Sequence, residues 1–373
     1  MNRTMPAPHK TFSQALAQPV GHGSASASTK HVAVIGAGIA GLTCARTLAQ
    51  AGHRITLLEK SRGFGGRMAS CESPFGSFDH GAQYFTVRDA RFRQALAASS
   101  PGLCKPWSAN AVRVLDPLGR VAEASLPQAE PHLVGVPGMD ALARHWAEPL
   151  VAADAVELET RVTRIERDAL DAGRWQLRTA GAQDSVHVYS GFDAVLLALP
   201  SAQAAGLLQV SAVAPAFAQR ISGVQVAPCW TLMLAFPQAV QPTLTHLGPQ
   251  WNAALSTHHR IAWLARESSK PGRGPVERWT VQASAAWSEE HLEDDRLRVK
   301  AKLLKAFAEV TGIRAEPAYS EVHRWRYAKT QQPLGASFLW DDRAGLGACG
   351  DWCLGHRVEN AFVSGLELAL AVV

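Results

Sequence analysis

Cysteine is scarce: the 373-residue chain has 6 (Cys44, Cys71, Cys104, Cys229, Cys349 and Cys353), and no two are spaced C-x-x-C. That argues against a disulfide scaffold and a structural zinc site, and makes reduced thiols in a cytoplasmic setting the expectation. Long apolar runs are missing too. Nothing approaches the ~18 apolar residues of a membrane span; Cys229 to Phe236 is short, and Glu367 interrupts the apolar C-terminus. No block of about five or six like charges occurs. The net charge of +5 is spread along the chain and suits an anionic cofactor as readily as a nucleic acid, for which no recognition motif is present. The 14 histidines show no H-E-x-x-H or similar ligand spacing, so no metal is expected.

Acidic residues are absent before Glu59, and residues 1–30 are rich in Ser, Ala, Pro and Gly, with Arg3 their only arginine. An organelle transit peptide would be richer in arginine, and a secretory signal needs an apolar core of ~7–15 residues. The segment therefore reads as a disordered leader, with folded structure expected from Lys30 onward.

What is present is globular. Apolar residues make up 47% and charged residues 18%, and the length allows two or three domains at ~150 residues each. His31 to Ile35 is a short β-branched run, followed by a helical pattern from Ile39 to Ala51 that Gly52 stops. A second strand, Ile55 to Leu58, ends in Glu59, so strand, helix and strand fit the ~30 residues of a βαβ unit. Val156 to Glu166 and Arg174 to Thr179 alternate like strands, and Phe192 to Leu199 reads as a buried strand ended by Pro200. Helices are expected around 201–208 and 214–221. Residues 224–287 carry strand-like runs (Thr231 to Phe236, Ile261 to Ala265, Trp279 to Ala285) without helices between them, the pattern of an antiparallel sheet.

A helix over Glu293 to Val310 places Leu297, Leu303, Leu304 and Phe307 on one face, and a strand over Ser320 to Tyr327 follows. Leu346 to Cys349 reads as a strand, Gly350-Asp351 as a turn and Asn360 to Val373 as a helix. The fold class is thus α/β: a discontinuous Rossmann-type domain (31–90, 150–208 and 340–373) with an inserted mixed α/β substrate domain (91–149 and 209–339) built on an antiparallel sheet.

Gly36-Ala37-Gly38-Ile39-Ala40-Gly41 satisfies G-x-G-x-x-G after a strand and at the opening of a helix. Gly36 permits the tight turn, Gly38 lets a pyrophosphate approach the backbone, and Gly41 lets helix and strand pack closely. The phosphates would face the positive end of the helix dipole. Glu59, about 20 residues on, is placed to accept from a ribose diol. Arg62-Gly63-Phe64-Gly65-Gly66-Arg67-Met68 follows directly, a second backbone approach with Arg67 able to face phosphate or ring, which a simple nicotinamide dehydrogenase does not need. Lys60, Met68 and Val162 are placed at the same cofactor site.

Together with Phe78-Asp79-His80-Gly81-Ala82-Gln83-Tyr84-Phe85-Thr86 and the ending Gly350-Asp351-Trp352 to Gly365, these motifs resemble the renalase-like branch of the FAD-dependent amine oxidase superfamily, from about residue 31 onward. The first two motifs are common to the superfamily, and the Asp79 to Thr86 stretch is the more specific. The resemblance implies noncovalent FAD and a substrate domain capping the flavin. Asp351 would bind its ribityl or pyrophosphate region, and the helix starting near Glu359-Asn360 would point at the flavin N1 and C2 edge. Cys349 and Cys353 do not match the cysteinyl flavin link of monoamine oxidases.

His80, Gln83, Tyr84, Trp325 and Trp352 are the substrate-lining candidates, with Trp230 and Tyr327 as further parts of an aromatic wall. No acid–base residue is assigned, because the hydride passes to flavin N5. The activity that the resemblance implies is an oxidase converting the 2- or 6-dihydro isomers of NAD(P)H to NAD(P)+ and passing electrons to dioxygen to form hydrogen peroxide. The alternatives are a monoamine- or polyamine-type amine oxidase and a non-catalytic flavin-binding protein. The partners expected are a small-molecule substrate and dioxygen, with no nucleic acid and no membrane.

Overall fold

The computed structural model describes residues 29–107, 113–124, 130–181, 185–240 and 251–373; the leader expected over 1–30 lies, up to residue 28, outside them. His31–Ile35 is buried on both faces, with Val32 and Val34 turned to one core and Ala33 and Ile35 to another. That is the environment of a central parallel strand. It pairs in parallel with Arg54–Leu58 on one side and Ala194–Leu197 on the other. Val156–Glu157 extends the sheet beyond Arg54–Leu58, and Leu346–Ala348 extends it beyond Ala194–Leu197. An antiparallel edge, Leu339–Asp341, completes six strands.

One face of this sheet carries the helices Ile39–Gln50, Ala141–Ala152 and Val358–Val372, which share a core with Phe92 and Trp146. The other face is covered by an antiparallel three-stranded sheet (Arg161–Arg167, Trp175–Ala180, Val186–Phe192) and the helices Ser201–Ser211 and Pro215–Ser222. The boundary expected at residue 150 therefore falls inside a helix. Leu142, Trp146 and Leu150 of that helix are buried in the first core, so Ala141–Ala152 packs with the Rossmann-type unit.

The inserted part is a seven-stranded sheet in the order Tyr319–Gln332, Gln225–Phe236, Glu277–Ala283, Ile261–Arg266, Ala253–Ser256, Arg113–Leu115, Val121–Ala124. It is antiparallel apart from the pairing of Ala253–Ser256 with Arg113–Leu115. Helix Arg296–Thr311 covers one of its faces through Val299, Leu303, Ala306, Phe307 and Val310. The helix starts three residues later than the sequence pattern places it, because Asp295 accepts from the amides of Leu297 and Arg298 as N-cap. Leu297 consequently lies in the first turn and is 69% exposed instead of joining the apolar face. Strand Glu277–Ala283 keeps the expected seven residues but lies two residues earlier than Trp279 to Ala285, since Ser284 caps a helix at Ala285–Glu290.

Candidate active site

A cleft of about 1940 Å³ runs from the glycine loop to the inner face of the seven-stranded sheet. A single drug-sized ligand occupies ~300–1,000 Å³, so the cleft has room for a dinucleotide and a second molecule. Its walls include Gly36, Gly38, Ile39, Ala40, Glu59, Lys60, Gly66, Arg67, Met68, Val162 and Asp351. Gly36 sits at φ +107°, and a Cβ there would lie 2.6 Å from the Ala198 carbonyl oxygen. Gly38 is different: a Cβ built on it meets nothing within 4 Å, so its backbone faces open space in the cleft. Gly66 completes the cradle, with its own Cβ position 3.6 Å from the Gly38 Cα.

Two residues of the fingerprint stand behind this surface. A Cβ on Gly41 would lie 1.9 Å from the Gly36 carbonyl oxygen, so Gly41 serves helix packing. The Ala37 amide donates to Glu59 Oε2 at 2.8 Å, while the Ser61 amide donates to Oε1 at 2.8 Å. Glu59 is therefore held by two backbone donors, and its remaining lone pairs are free to accept from a diol. Lys60 Nζ donates to Gln203 Oε1 at 3.3 Å.

Arg67 and Asp351 pair with each other. Arg67 donates to both Asp351 oxygens, Nη1 to Oδ2 at 2.8 Å and Nη2 to Oδ1, and Nη1 also reaches the Ala328 carbonyl at 3.3 Å. The charge that sequence reasoning offers to a phosphate is thus neutralised by the strand-end aspartate. The helix at Val358–Val372 begins beside them, with Val358 and Ala361 in the cleft wall. Glu359 turns elsewhere and accepts from the Arg88 and Asp89 amides at 2.6 and 2.5 Å.

On the sheet side the cleft is lined by His80, Gln83, Tyr84, Trp263, Gln282, His323, Trp325 and Tyr327. Trp325 stacks on His80 at 5.1 Å and donates to the His80 carbonyl at 2.8 Å. His323 meets the same imidazole edge-on at 4.7 Å. Burial, the His80 ring and Arg296 hold the His323 imidazole down at about 4, and burial also lowers His80. Both rings are neutral at pH 7. Tyr84 lies 5.8 Å from Trp263, and burial raises its phenol above the ordinary value.

Trp352 is not in this wall. It is 1% exposed within the second core, and its indole donates to the Leu199 carbonyl at 2.9 Å. Trp230 is likewise interior, donating to the His291 carbonyl at 3.0 Å. Trp263 and His323, which sequence reasoning missed, take their places. Gln83 reaches the cleft, but its amide nitrogen donates to the Asp79 and Gly81 carbonyls and its oxygen accepts from Lys270 at 3.4 Å. Its polar end holds the loop.

Behind Gln83 lies a group of charged side chains with no solvent exposure: Asp79, Glu267, Lys270 and Arg273. Lys270 Nζ is 3.0 Å from Asp79 Oδ2 and 2.8 Å from Glu267 Oε1. Asp79 also accepts from Arg273 at 2.5 Å, from Ser70 at 2.8 Å and from the Met139 amide at 2.9 Å. Burial opposes its ionisation, but Lys270 and Arg273 outweigh burial and hold Asp79 below the ordinary carboxyl value. For Glu267 burial prevails and the value is raised. The aspartate of the Asp79 to Thr86 motif is thus an anchor between its own loop and the segment Glu267 to Arg273 that joins two strands of the seven-stranded sheet.

A family model described as flavin containing amine oxidoreductase matches residues 123–373, and one described as an NAD(P)-binding Rossmann-like domain matches 34–98. The chain belongs to the flavin-containing amine oxidoreductase family. That family is described as one of flavin-containing oxidoreductases.

Over its length the chain superposes on cyclohexylamine oxidase from Brevibacterium oxydans IH-35A with a TM-score of 0.66 at 13% identity, covering 92% of this chain and 98% of that one. A candidate protoporphyrinogen oxidase from Exiguobacterium sp. 255-15 gives 0.71 at 15%, covering 92% and 99%. These likenesses show the fold. Among curated proteins, the L-amino-acid oxidase of Bungarus fasciatus is 58% identical over 43 residues, 12% of this chain and 8% of the relative. A candidate L-amino-acid oxidase of Bacillus subtilis (strain 168) is 54% identical over 52 residues, spanning 14% and 11%. The match thus covers about a tenth of these relatives.

The residues present fit FAD. The open cradle at Gly38 and Gly66 accommodates a pyrophosphate, and Glu59 accepts from a ribose. Cys349 and Cys353 do not line the cleft, and both thiols are raised, Cys349 by its hydrogen bond with Cys44 and by burial, Cys353 by burial. Neither offers a thiolate for a covalent link. Among the described residues no group of three or more His, Cys, Asp or Glu side chains is arranged to hold a metal, and no helix is long and apolar enough to cross a membrane.

Proposed function

We propose that this oxidoreductase is a renalase-like oxidase that takes a hydride from a planar reduced substrate, the 2- or 6-dihydro isomers of NAD(P)H, and returns electrons to dioxygen as hydrogen peroxide. The observation that carries the reading is the substrate wall: it is built from rings, and its two facing imidazoles, His80 and His323, are held neutral by burial. A dihydropyridine suits such a wall, because aromatisation drives hydride loss and no proton has to leave first. An amine needs a neutral nitrogen at the reacting carbon, and among the described residues the sheet-side wall has no carboxylate to draw in its ammonium form.

Noncovalently bound FAD supplies the two-electron acceptor. Gly36, Gly38, Gly66, Glu59, Lys60, Ile39, Ala40, Met68, Val162 and the Arg67–Asp351 pair hold and orient it, on segments 31–90, 150–208 and 340–373 together with helix Ala141–Ala152. Trp325, Trp263 and Tyr84 line the cleft and offer aromatic surface to a flat ring. His80, stacked by Trp325, sets the face presented to the cofactor. Six unpaired cysteines fit a reducing cytoplasm.

Amine oxidation is the second reading, favoured by the family match over residues 123–373. Anaerobic stopped-flow separates the two. The 2- and 6-dihydro isomers are expected to bleach the flavin much faster than 4-dihydro NADH or a panel of amines, with air restoring the colour. Rapid bleaching by an amine and none by the isomers would replace the first reading with the second. No bleaching by any reductant that reaches the cleft would leave a non-catalytic flavin protein.

A further inference from the structure

We infer that the sheet-side mouth of the cleft is an oxyanion site centred on Arg296, so that the substrate carries a phosphate or carboxylate remote from the carbon that is oxidised. The inference rests on the proposed function in one respect, that substrate enters beside His80, His323 and Trp325. Three arginines line the cleft here, Arg296, Arg324 and Arg326. Arg324 donates to the Leu292 carbonyl at 2.7 Å and to Glu293 Oε2 at 3.0 Å, and Arg326 donates to the same Oε2 at 2.8 Å. One carboxylate therefore serves two guanidinium groups.

The neighbouring acids are engaged elsewhere. Asp294 lies 3.2 Å from Lys302, 3.3 Å from His291 and 3.9 Å from Arg298. Asp295 accepts from the Leu297 and Arg298 amides. Among the described residues Arg296 has no carboxylate partner within the 4.0 Å of an ion pair. It is also the first residue of Arg296–Thr311, a helix with no acidic residue in its first turn. A cation there is disfavoured by the helix dipole. With Asp295 capping the helix amides, Arg296 is an exposed guanidinium without an ion-pair partner in the same cleft wall as Arg324 and Arg326, an excess of positive charge that favours an anion.

The geometry also matches the ring wall. Arg296 shares the cleft wall with His323 and Trp325, the rings that would flank the reacting carbon, and its charge adds to the burial that keeps the His323 imidazole neutral. A guanidinium takes phosphate or carboxylate through two parallel hydrogen bonds, which fixes orientation as well as affinity. In a nicotinamide nucleotide the 5′-phosphate is the group that would reach it.

The test uses the FAD-loaded protein. The 2- and 6-dihydro forms of nicotinamide mononucleotide are compared with the matching ribosides, which lack only the phosphate, in anaerobic flavin reduction. The mononucleotides are expected to show an apparent Kd about 10-fold lower or more. R296Q should erase that preference, and R296K should keep part of it. In a second arm, inorganic phosphate and acetate are titrated at constant ionic strength and read by thermal shift; phosphate, acetate or both should stabilise the wild type more than R296Q, and which of them acts identifies the oxyanion.

Equal reduction by mononucleotide and riboside, or a preference that survives R296Q, would overturn the oxyanion site while leaving the proposed function standing. Reduction by neither probe would instead remove the proposed function. The anion titration then decides the site alone, with equal shifts in wild type and R296Q counting against it.

Discussion

The Arg67–Asp351 pair joins residues 284 apart in sequence, tying the loop after the second strand to the turn before the last helix. Both face the cleft. Asp351 has a side chain 6% exposed and Arg67 one 30% exposed, so the pair lies between two regimes. Removing one partner of a fully buried pair costs ~3–5 kcal/mol, whereas an exposed pair contributes ~0.2–1 kcal/mol. Discounting for the open third of Arg67, D351N is expected to cost about 2 kcal/mol. Asparagine keeps the volume, but it can accept through one oxygen only and turns an N–H toward the guanidinium.

R67Q is expected to cost a similar amount by leaving Asp351 buried and uncompensated. Because the two lose one shared interaction, the double variant should be far less destabilised than the sum, with a coupling of about 1–2 kcal/mol. Denaturant unfolding of the three variants measures it, and FAD titration followed by flavin fluorescence provides the functional readout. A loss of about 2 kcal/mol at the cofactor site corresponds to a Kd for FAD raised more than 10-fold. Additive costs, with a coupling below about 0.3 kcal/mol, would refute the argument that these charges act as one unit.

Gly38 and Gly41 should separate two roles of one motif. G38A puts a methyl group into open space, so the apo-protein is expected to fold normally while FAD binding weakens; G41A drives a Cβ against the Gly36 carbonyl and should lower thermal stability before any cofactor is added. Normal FAD affinity in G38A would show that no phosphate approaches that backbone. E59A removes the acceptor for the Ala37 and Ser61 amides as well as for a ribose, and is expected to weaken FAD at least about 10-fold, a charged hydrogen bond amounting to ~1.5–3 kcal/mol. Unchanged affinity by titration would remove Glu59 from the site. His31, His53, His80, His132, His258, His323 and His356 all have lowered values, with burial the first cause, and His323 falls to about 4. The unfolded chain then binds protons more readily than the folded one below pH ~6.5, so stability is complete above that pH and declines as pH falls toward 4. Thermal melts across pH 4–8 test this, and H323N should flatten part of the slope.

Much of the cofactor half was legible because its chemistry is local. Strand, glycine turn, helix and acidic strand end follow one another within His31 to Glu59, and each residue type is demanded by backbone conformation or by phosphate approach. The substrate wall was legible only in part. Trp325 faces the cleft, and in a strand the residues at i±2 share its face, so His323 and Tyr327 follow from Trp325 by parity. Trp263 does not. Its strand, Ile261–Arg266, is almost continuously apolar and has both faces covered, and alternation cannot tell core from cleft in such a run. Trp352 misled for the converse reason: next to Asp351 in sequence, it turns to the opposite core.

The buried charges were the least legible feature. Glu267-Ser268-Ser269-Lys270-Pro271-Gly272-Arg273 has the composition of a solvated turn, and charged residues are seldom fully buried unless paired. Its partner, Asp79, stands nearly 200 residues earlier in a motif that points to the substrate. Only the fold shows that Lys270 and Arg273 close on that aspartate, and that Lys270 then fixes the Gln83 amide at the cleft wall. Such a cluster is costly to assemble and more costly to break at one partner. The loop bearing His80 and Tyr84 is therefore fixed to the seven-stranded sheet in one arrangement, because displacing it would leave a buried charge without its partner. In the proposed hydride transfer ~1 Å of misplacement would cost about a hundredfold in rate, so anchoring the ring wall from behind gives Asp79 a physical task. On that reading Asp79 would orient the substrate without touching it.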